Sequence, residues 1–152
     1  MTVPADPANL PQVHVLNGPN LNLLGLREPE IYGRDTLADI EQAVRARAAQ
    51  LRMDVVFRQT NHEGQLIDWL HEAHGQSAQA VLLNAGAYTH TSIALLDAIR
   101  AITPPVIEVH LSDPSTREAF RHHSYVAMAA AHVVKGLGAR SYLVALDHVA
   151  RL

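Results

Sequence analysis

The sequence predicts an α/β fold in which a parallel β-sheet lies between two layers of helices. β-rich runs and amphipathic segments alternate along the 152 residues. Parallel strands need crossover connections, and helices usually supply them. The run at 79–83 carries apolar residues for both of its faces, as a central parallel strand does.

The patterns place five strands and five helices. The strands are predicted at residues 12–16, 53–57, 79–83, 106–110 and 132–135. Apolar residues recur at helical spacing after Thr36, which forms a variant of the capping box with Asp39. The other helices are predicted at 63–74, from Thr91 or Ser92 onward, at 116–120 and after Gly138. Five strands in a chain of this length favour the flavodoxin-like strand order 2-1-3-4-5.

Length and composition indicate one domain at 12–152, preceded by an extended, Pro-rich arm at 1–11. The net charge of −3 gives no basic field for nucleic acid or an anionic membrane. The absence of cysteine excludes disulfides and thiolate metal sites. Since the chain has no signal-peptide pattern and no apolar run of membrane-spanning length, a cytoplasmic location is expected.

In such a sheet, ligands bind beyond the carboxyl ends of the strands, near the switch in strand order. The segments at 17–32, 84–90 and 110–117 follow strands one, three and four, and all are rich in groups that hydrogen-bond or titrate. The first is longer than a strand-to-helix connection needs. Its length favours a lid or binding loop over an irregular surface loop.

Several kinds of site fit these segments poorly. The turn at 17–20 has neither a Gly-x-Gly-x-x-Gly pattern nor a Lys-Ser/Thr ending for a flavin or phosphate, and Asn17 stands where a phosphoacceptor needs Asp. His71 and His74 are three residues apart and lack a third metal ligand. An imine mechanism needs a lysine, and the sole lysine, Lys135, is expected at the distant edge of the sheet in a structural role.

Acid–base chemistry on an anionic, hydroxylated substrate remains, with Tyr32 as the candidate base. A tyrosine has a normal pKa of about 10. Guanidinium groups of Arg27, on the same loop, and Arg117, after strand four, would stabilise the phenolate and lower that pKa.

His110, at the end of strand four, suits general acid work near neutral pH. The alternative is a core histidine whose ring bonds a backbone carbonyl. Glu108 lies two residues earlier, on the same strand face, and could orient the imidazole. Leu111 and Ser112 could offer backbone N–H groups to a carboxylate.

Longer motifs cover the chain from Val13 to the last helix. They are LNGPNLNLLG (16–25), REPEIYG (27–33), QTN (59–61), NAGAYTHTS (84–92), EVHLS (108–112) and REAFRHHS (117–124). In content and order they closely resemble type II 3-dehydroquinate dehydratase, the family that converts 3-dehydroquinate to 3-dehydroshikimate in the shikimate and quinate pathways.

The resemblance implies catalytic roles for four residues. Tyr32, as a tyrosinate, would remove a proton from C2 of the substrate. Arg27, on the lid, would stabilise that anion and the transition state. Asn20 would hold a water against the enolate oxygen, and His110 would protonate the leaving hydroxyl.

The same resemblance implies a set of substrate contacts and an assembly. Asn84, Leu111 and Ser112 would hold the carboxylate, and His90 and Arg121 would bind ring hydroxyls. Asp97 would reach the site of a neighbouring subunit. The family is cofactor-free, needs no metal, and builds a homododecamer from four trimers of flavodoxin-like subunits.

One position departs from the family pattern. The family usually has Asn after the serine at the end of strand four, and this chain has Asp113, followed by Pro114. Asp113 either caps the predicted helix at 116–120 or places a carboxylate within reach of the site or of subunit contacts. There it could raise the pKa of a nearby histidine or disfavour an anionic substrate. The alternative function is a non-catalytic flavodoxin-like binding protein, although binding alone does not require a base and an acid.

Overall fold

The computed structural model describes residues 9–26 and 28–152, and of Tyr32 only the backbone. Residues 1–8 of the predicted arm and Arg27 lie outside this range. The five strands are β1 Gln12–Asn17, β2 Asp54–Gln59, β3 Ala80–Asn84, β4 Val106–Val109 and β5 His132–Val134. The α-helices are α1 Pro29–Tyr32, α2 Leu37–Gln50, α3 Glu63–Gly75, α4 Ile93–Ala101 and α5 Arg140–Val149.

All strand pairs are parallel, and their order in the sheet is β2-β1-β3-β4-β5. The predicted strand order is therefore confirmed. The strand bounds differ from the predicted ones by one or two residues, as is common at element ends.

Two apolar layers cover the two faces of the sheet. Alternate residues of one strand point to opposite faces, so Val13 and Val15 pack in the layer of α2 and α5. Leu16 packs with α3 and α4. Because β1, β3 and β4 are parallel neighbours, their carboxyl ends meet at one edge of the sheet.

Helix starts follow the predicted caps. Thr36 and Asp39 form a reciprocal capping box at α2. The Ser92 side chain accepts a hydrogen bond from the Leu95 amide at 2.9 Å and caps α4.

The predicted helix at 116–120 is wrong. Two short 3₁₀ turns, Pro114–Thr116 and Ala119–Arg121, lie there, separated by extended backbone at Arg117 and Glu118. The segment buries no apolar face that could sustain a longer helix, since Phe120 is 69% exposed. The single turn of α1 was not predicted; it begins with Pro29 at its first position.

Candidate active site

The turn after β1 packs directly on the turn after β3. The Gly18 amide donates a 2.8 Å hydrogen bond to the Asn84 carbonyl. A Cβ on Gly18 would lie 2.5 Å from the Ala85 oxygen, so this position requires glycine. Gly86, at φ +59°, faces the Pro19 carbonyl in the same contact. The two predicted binding segments therefore form one continuous wall.

Asn20 is held at the tip of the first turn. Its backbone is left-handed, at φ 69°, a conformation that asparagine tolerates better than most residues. Its amide donates to Asn61 Oδ1 at 3.0 Å, and Gln59 Nε2 donates to the same oxygen at 3.1 Å. The Tyr88 hydroxyl donates to the Asn61 carbonyl at 2.9 Å. The start of the long loop is thus fixed by residues from β2 and from the turn after β3.

Beneath this wall lies a buried polar network centred on Tyr142 of α5. Its hydroxyl donates to Asn17 Oδ1 at 2.6 Å and accepts from Asn84 Nδ2 at 2.9 Å. Asn17 Nδ2 donates in turn to the Arg58 carbonyl at 2.9 Å. Burial raises the pKa of Tyr142, so its proton stays on the hydroxyl. The network fixes the orientation of the Asn84 amide.

The Glu108–His110 pair lies at the end of β4. His110 Nε2 is 2.6 Å from Glu108 Oε1, and the Ser124 hydroxyl donates to that same oxygen at 2.7 Å. Glu108 is 1% exposed and His110 is 8% exposed. Since Nε2 is engaged by Glu108, Nδ1 is the ring nitrogen available to a ligand. The predicted orienting contact is therefore present, and the ring bonds no backbone carbonyl of residues 9–26 and 28–152.

Leu111 and Ser112 form a backbone cradle. The Gly138 amide donates to the Leu111 carbonyl at 3.0 Å, and the Gly136 amide donates to the Ser112 carbonyl at 3.1 Å. The amide N–H groups of Leu111 and Ser112 donate to no other residue within the described ranges. Two adjacent N–H donors beside a cavity suit a carboxylate.

A cavity of about 100 Å³ brings most of the predicted residues together. From the predicted set it is lined by Asn20, Asn84, His90, His110, Leu111, Ser112, Arg117 and Arg121. His90 Nδ1 lies 2.7 Å from the His123 carbonyl, and burial lowers the pKa of His90. Arg121 pairs with Glu118 and stacks over Phe120. Guanidinium groups and N–H donors make this cavity suited to an anion.

Two described residues of the predicted set, Glu108 and Asp97, do not line this cavity. Glu108 lies behind His110, as expected of a supporting residue. Asp97 is exposed on α4, and its role at a neighbouring site stays a prediction. Arg27 and the Tyr32 side chain lie outside what the structure describes. The backbone places Ile31 and Gly33 on a cleft shared with Leu111, Ser112 and Arg117, so Tyr32 belongs to a segment that borders the cradle.

Lys135 follows the edge strand β5, as expected, but the expectation that it lies away from the binding loops is wrong. Its Nζ lies 3.4 Å from Asp113 Oδ1, on the loop that follows β4. Because β5 pairs with β4, the carboxyl ends of these strands are neighbours. Asp113 accepts from the Ser115 amide at 3.0 Å, so it is a cap, although the element it caps is a 3₁₀ turn.

Three site-supporting residues, Tyr142, Asn61 and Ser124, were not predicted. Tyr142 occupies an inward position of an amphipathic helix, where an aromatic residue indicates only core packing. A buried tyrosine hydroxyl needs a hydrogen-bond partner, and this requirement was the only sequence signal that pointed to the role of Tyr142. Asn61 and Ser124 act across 41 and 16 residues, beyond the reach of local patterns.

Two further kinds of feature are absent from the described ranges. Residues 9–26 and 28–152 contain no group of three or more His, Asp or Glu side chains placed to hold a metal ion. None of the helices seen there is long and apolar enough to cross a membrane.

Comparison of the amino-acid sequence with known proteins identifies a family to which the chain is similar. The family model described as dehydroquinase class II matches residues 11–150. A protein of Maricaulis maris, named 3-dehydroquinate dehydratase, is 59% identical over 135 residues, which cover 89% of this chain and 92% of that protein. A Chelativorans protein of the same name is 60% identical over 139 residues, or 91% and 95% of the two chains.

Solved structures agree with the sequence comparison. The type II dehydroquinase of Butyrivibrio crossotus superposes with a TM-score of 0.90 at 35% identity, covering 92% of this chain and 97% of that one. The enzyme of Propionibacterium acnes gives a TM-score of 0.89 at 40% identity, covering 93% and 97%. The chain therefore belongs to the class II dehydroquinase family.

Proposed function

We propose that this protein removes water from 3-dehydroquinate in the anti sense, through an enolate, to give 3-dehydroshikimate. The observation that carries the proposal is the buried Glu108–His110 pair beside two free backbone N–H donors in one cavity. The curated relatives are named for this activity. An acid, a carboxylate cradle and nearby guanidinium groups are what an elimination from an anionic hydroxy-ketone needs.

In the first step, Tyr32 as tyrosinate takes a proton from C2, next to the ketone. The Arg27 guanidinium stabilises the tyrosinate and the charge that develops on the substrate. The enolate oxygen is stabilised by a water held by Asn20, whose backbone position is fixed by Asn61. Support for these roles is the sequence match at 16–25 and 27–33 and the position of α1 beside the cradle.

In the second step, His110 gives its proton to the hydroxyl that leaves from the carbon next to C2. The enolate collapses, the new C=C bond forms, and water departs. Glu108 holds the imidazole by its Nε2, so a proton on Nδ1 faces the cavity.

The substrate carboxylate binds at the Leu111 and Ser112 amides and at Asn84, and His90 and Arg121 bind ring hydroxyls. The chain works as a homododecamer, in which Asp97 of one subunit reaches the neighbouring site. An exposed carboxylate on α4 is compatible with such a contact.

An ultraviolet assay tests the reaction, because the product is a conjugated enone and the substrate is not. We expect absorbance to grow when the protein meets 3-dehydroquinate near neutral pH. Tyr32→Phe should remove nearly all of that growth while substrate still binds. Tyr125→Phe, which makes the same chemical change away from the cavity, is the matched control. Binding without any absorbance change would favour the non-catalytic alternative.

A further inference from the structure

Asp113 places a negative charge at the mouth of the proposed carboxylate cradle. It follows Ser112 directly, and with Ser112 and Leu111 it lines the cleft beside the cavity. Two hydrogen bonds from Ser115, aided by Lys135, lower the pKa of the Asp113 carboxyl. The group is therefore ionised at neutral pH and, alone, would repel an anionic ligand.

Lys135 is placed to compensate that charge. Its Nζ lies 3.4 Å from Asp113 Oδ1, and it follows β5 just before the Gly136 amide that bonds the Ser112 carbonyl. Lys135 also lines a second cavity of about 270 Å³, together with Glu108 and His110. The Lys135 side chain thus borders both Asp113 and the cavity that the acid pair lines.

The Lys135–Asp113 ion pair is expected to contribute little to the folding free energy. The Lys135 side chain is 44% exposed and that of Asp113 is 34% exposed. Exposed ion pairs add little to folding free energy. Asp113 is, however, the next residue after Ser112, and charges interact over about a Debye length, so an uncompensated Asp113 would act on a bound carboxylate.

We propose that Lys135 is a positioning residue for substrate binding, which neutralises Asp113 and so allows the Leu111–Ser112 cradle to accept a carboxylate. This inference rests on the proposed function, because it takes 3-dehydroquinate as the anion. Lys135 acts through Asp113 and contacts neither the substrate nor the reacting atoms.

The test is a double-mutant cycle of Lys135→Met, Asp113→Asn and both together. Lys135→Met should raise KM about three- to tenfold with kcat within about twofold, as expected for one uncompensated charge near an anion. Asp113→Asn should leave KM at or below the parent value, and the double variant should return KM to the parent range. Lys135→Arg should behave as the parent. Arg151→Met, which removes an exposed cation elsewhere, is the matched control.

Calorimetric binding of 3-dehydroquinate, with the same changes made in a Tyr32→Phe background, gives a readout that needs no turnover. The Kd values should follow the KM pattern. An unchanged Kd in Lys135→Met overturns the inference, as does equal weakening in the single and double variants. Binding without turnover in the parent contradicts the proposed function alone, and no binding at all contradicts both.

Discussion

At the scale of single residues, the Glu108–His110 pair depends both on its spacing along β4 and on a contact with Ser124, 16 residues from Glu108. The spacing of two residues on one strand predicts that the side chains share a face. The Ser124 hydroxyl, which bonds the same Glu108 oxygen, comes from a segment whose path the sequence did not reveal. The contact between Glu108 and His110 was therefore predictable, whereas the hydrogen bond from Ser124 was not.

Removing the imidazole should slow the reaction without preventing binding. We expect His110→Asn to lower kcat by about 10²- to 10⁴-fold, the usual contribution of a general acid. Glu108→Gln should cost less, because the amide oxygen can still accept from Nε2. His71→Asn, an exposed histidine on α3, is the control, measured in the same absorbance assay. A kcat of His110→Asn within twofold of the parent would show that another group is the acid.

His14 makes folding stability depend on pH. It is fully buried in β1, and burial, with a smaller effect of Arg58, lowers its pKa below 6.5. The unfolded chain then binds the proton first, so the free energy of unfolding falls as pH decreases below about 6.5 toward the folded-state pKa. The slope from this one group is at most about 1.4 kcal/mol per pH unit.

Urea denaturation at pH 7.5 and 5.5 checks this expectation. His14→Gln removes the titration, so it should show a smaller loss of stability between the two pH values than the parent shows. His71→Gln should keep the parent's dependence, since His71 is exposed. If the free energy of unfolding falls equally in the parent and in His14→Gln, His14 is not the source of the pH dependence.

At the scale of elements, apolar periodicity predicted the strands and longer helices because each one buries a face. It failed at two short segments: 116–120, which forms two turns that bury no residue, and α1, a single turn too short for a helical pattern. Both failures border the candidate site. Loops that carry polar groups for a ligand lack the apolar periodicity on which predictions of helices and strands depend.

Tyr142 connects α5 to β1 and β3 through its hydroxyl. Loss of that hydroxyl should lower both folding stability and substrate affinity. Tyr142→Phe leaves Asn17 Oδ1 and Asn84 Nδ2 without the hydroxyl to which they bond, at a cost of about 1–3 kcal/mol. KM should rise because Asn84 is no longer oriented, while kcat should change less. Denaturant unfolding and the absorbance assay measure the two effects. Tyr125→Phe should change neither, and a Tyr142→Phe enzyme with the parent's stability and KM would contradict the role.

At the scale of the whole molecule, the parallel topology explains why widely separated motifs meet. Parallel strands bring their carboxyl ends to one edge, which is why Asn20, Asn84 and His110 could be expected together. The same rule, applied to β5, would have placed Lys135 beside Asp113. Its position was missed because strand five was treated as distant, although it is the direct neighbour of β4.

Assembly is the remaining molecular property to be measured. Light scattering should give a mass near twelve times the 16.6 kDa of one chain. Asp97→Asn should then lower activity without changing that mass, because the side chain would act at a neighbouring site. A stable, fully active monomer would remove Asp97 from the mechanism.

The bonds from Gly136 and Gly138 to the cradle carbonyls set an order for the protein's synthesis. A ribosome has already made β1 to β4, with the tyrosine, the acid and the amide wall, before residue 138 emerges. Until then the Leu111 and Ser112 carbonyls lack these two hydrogen bonds, although the Leu111 side chain can already pack in the core. The nascent chain thus contains the proposed reactive groups before the backbone of the proposed cradle is fully fixed, which requires the last β–α unit.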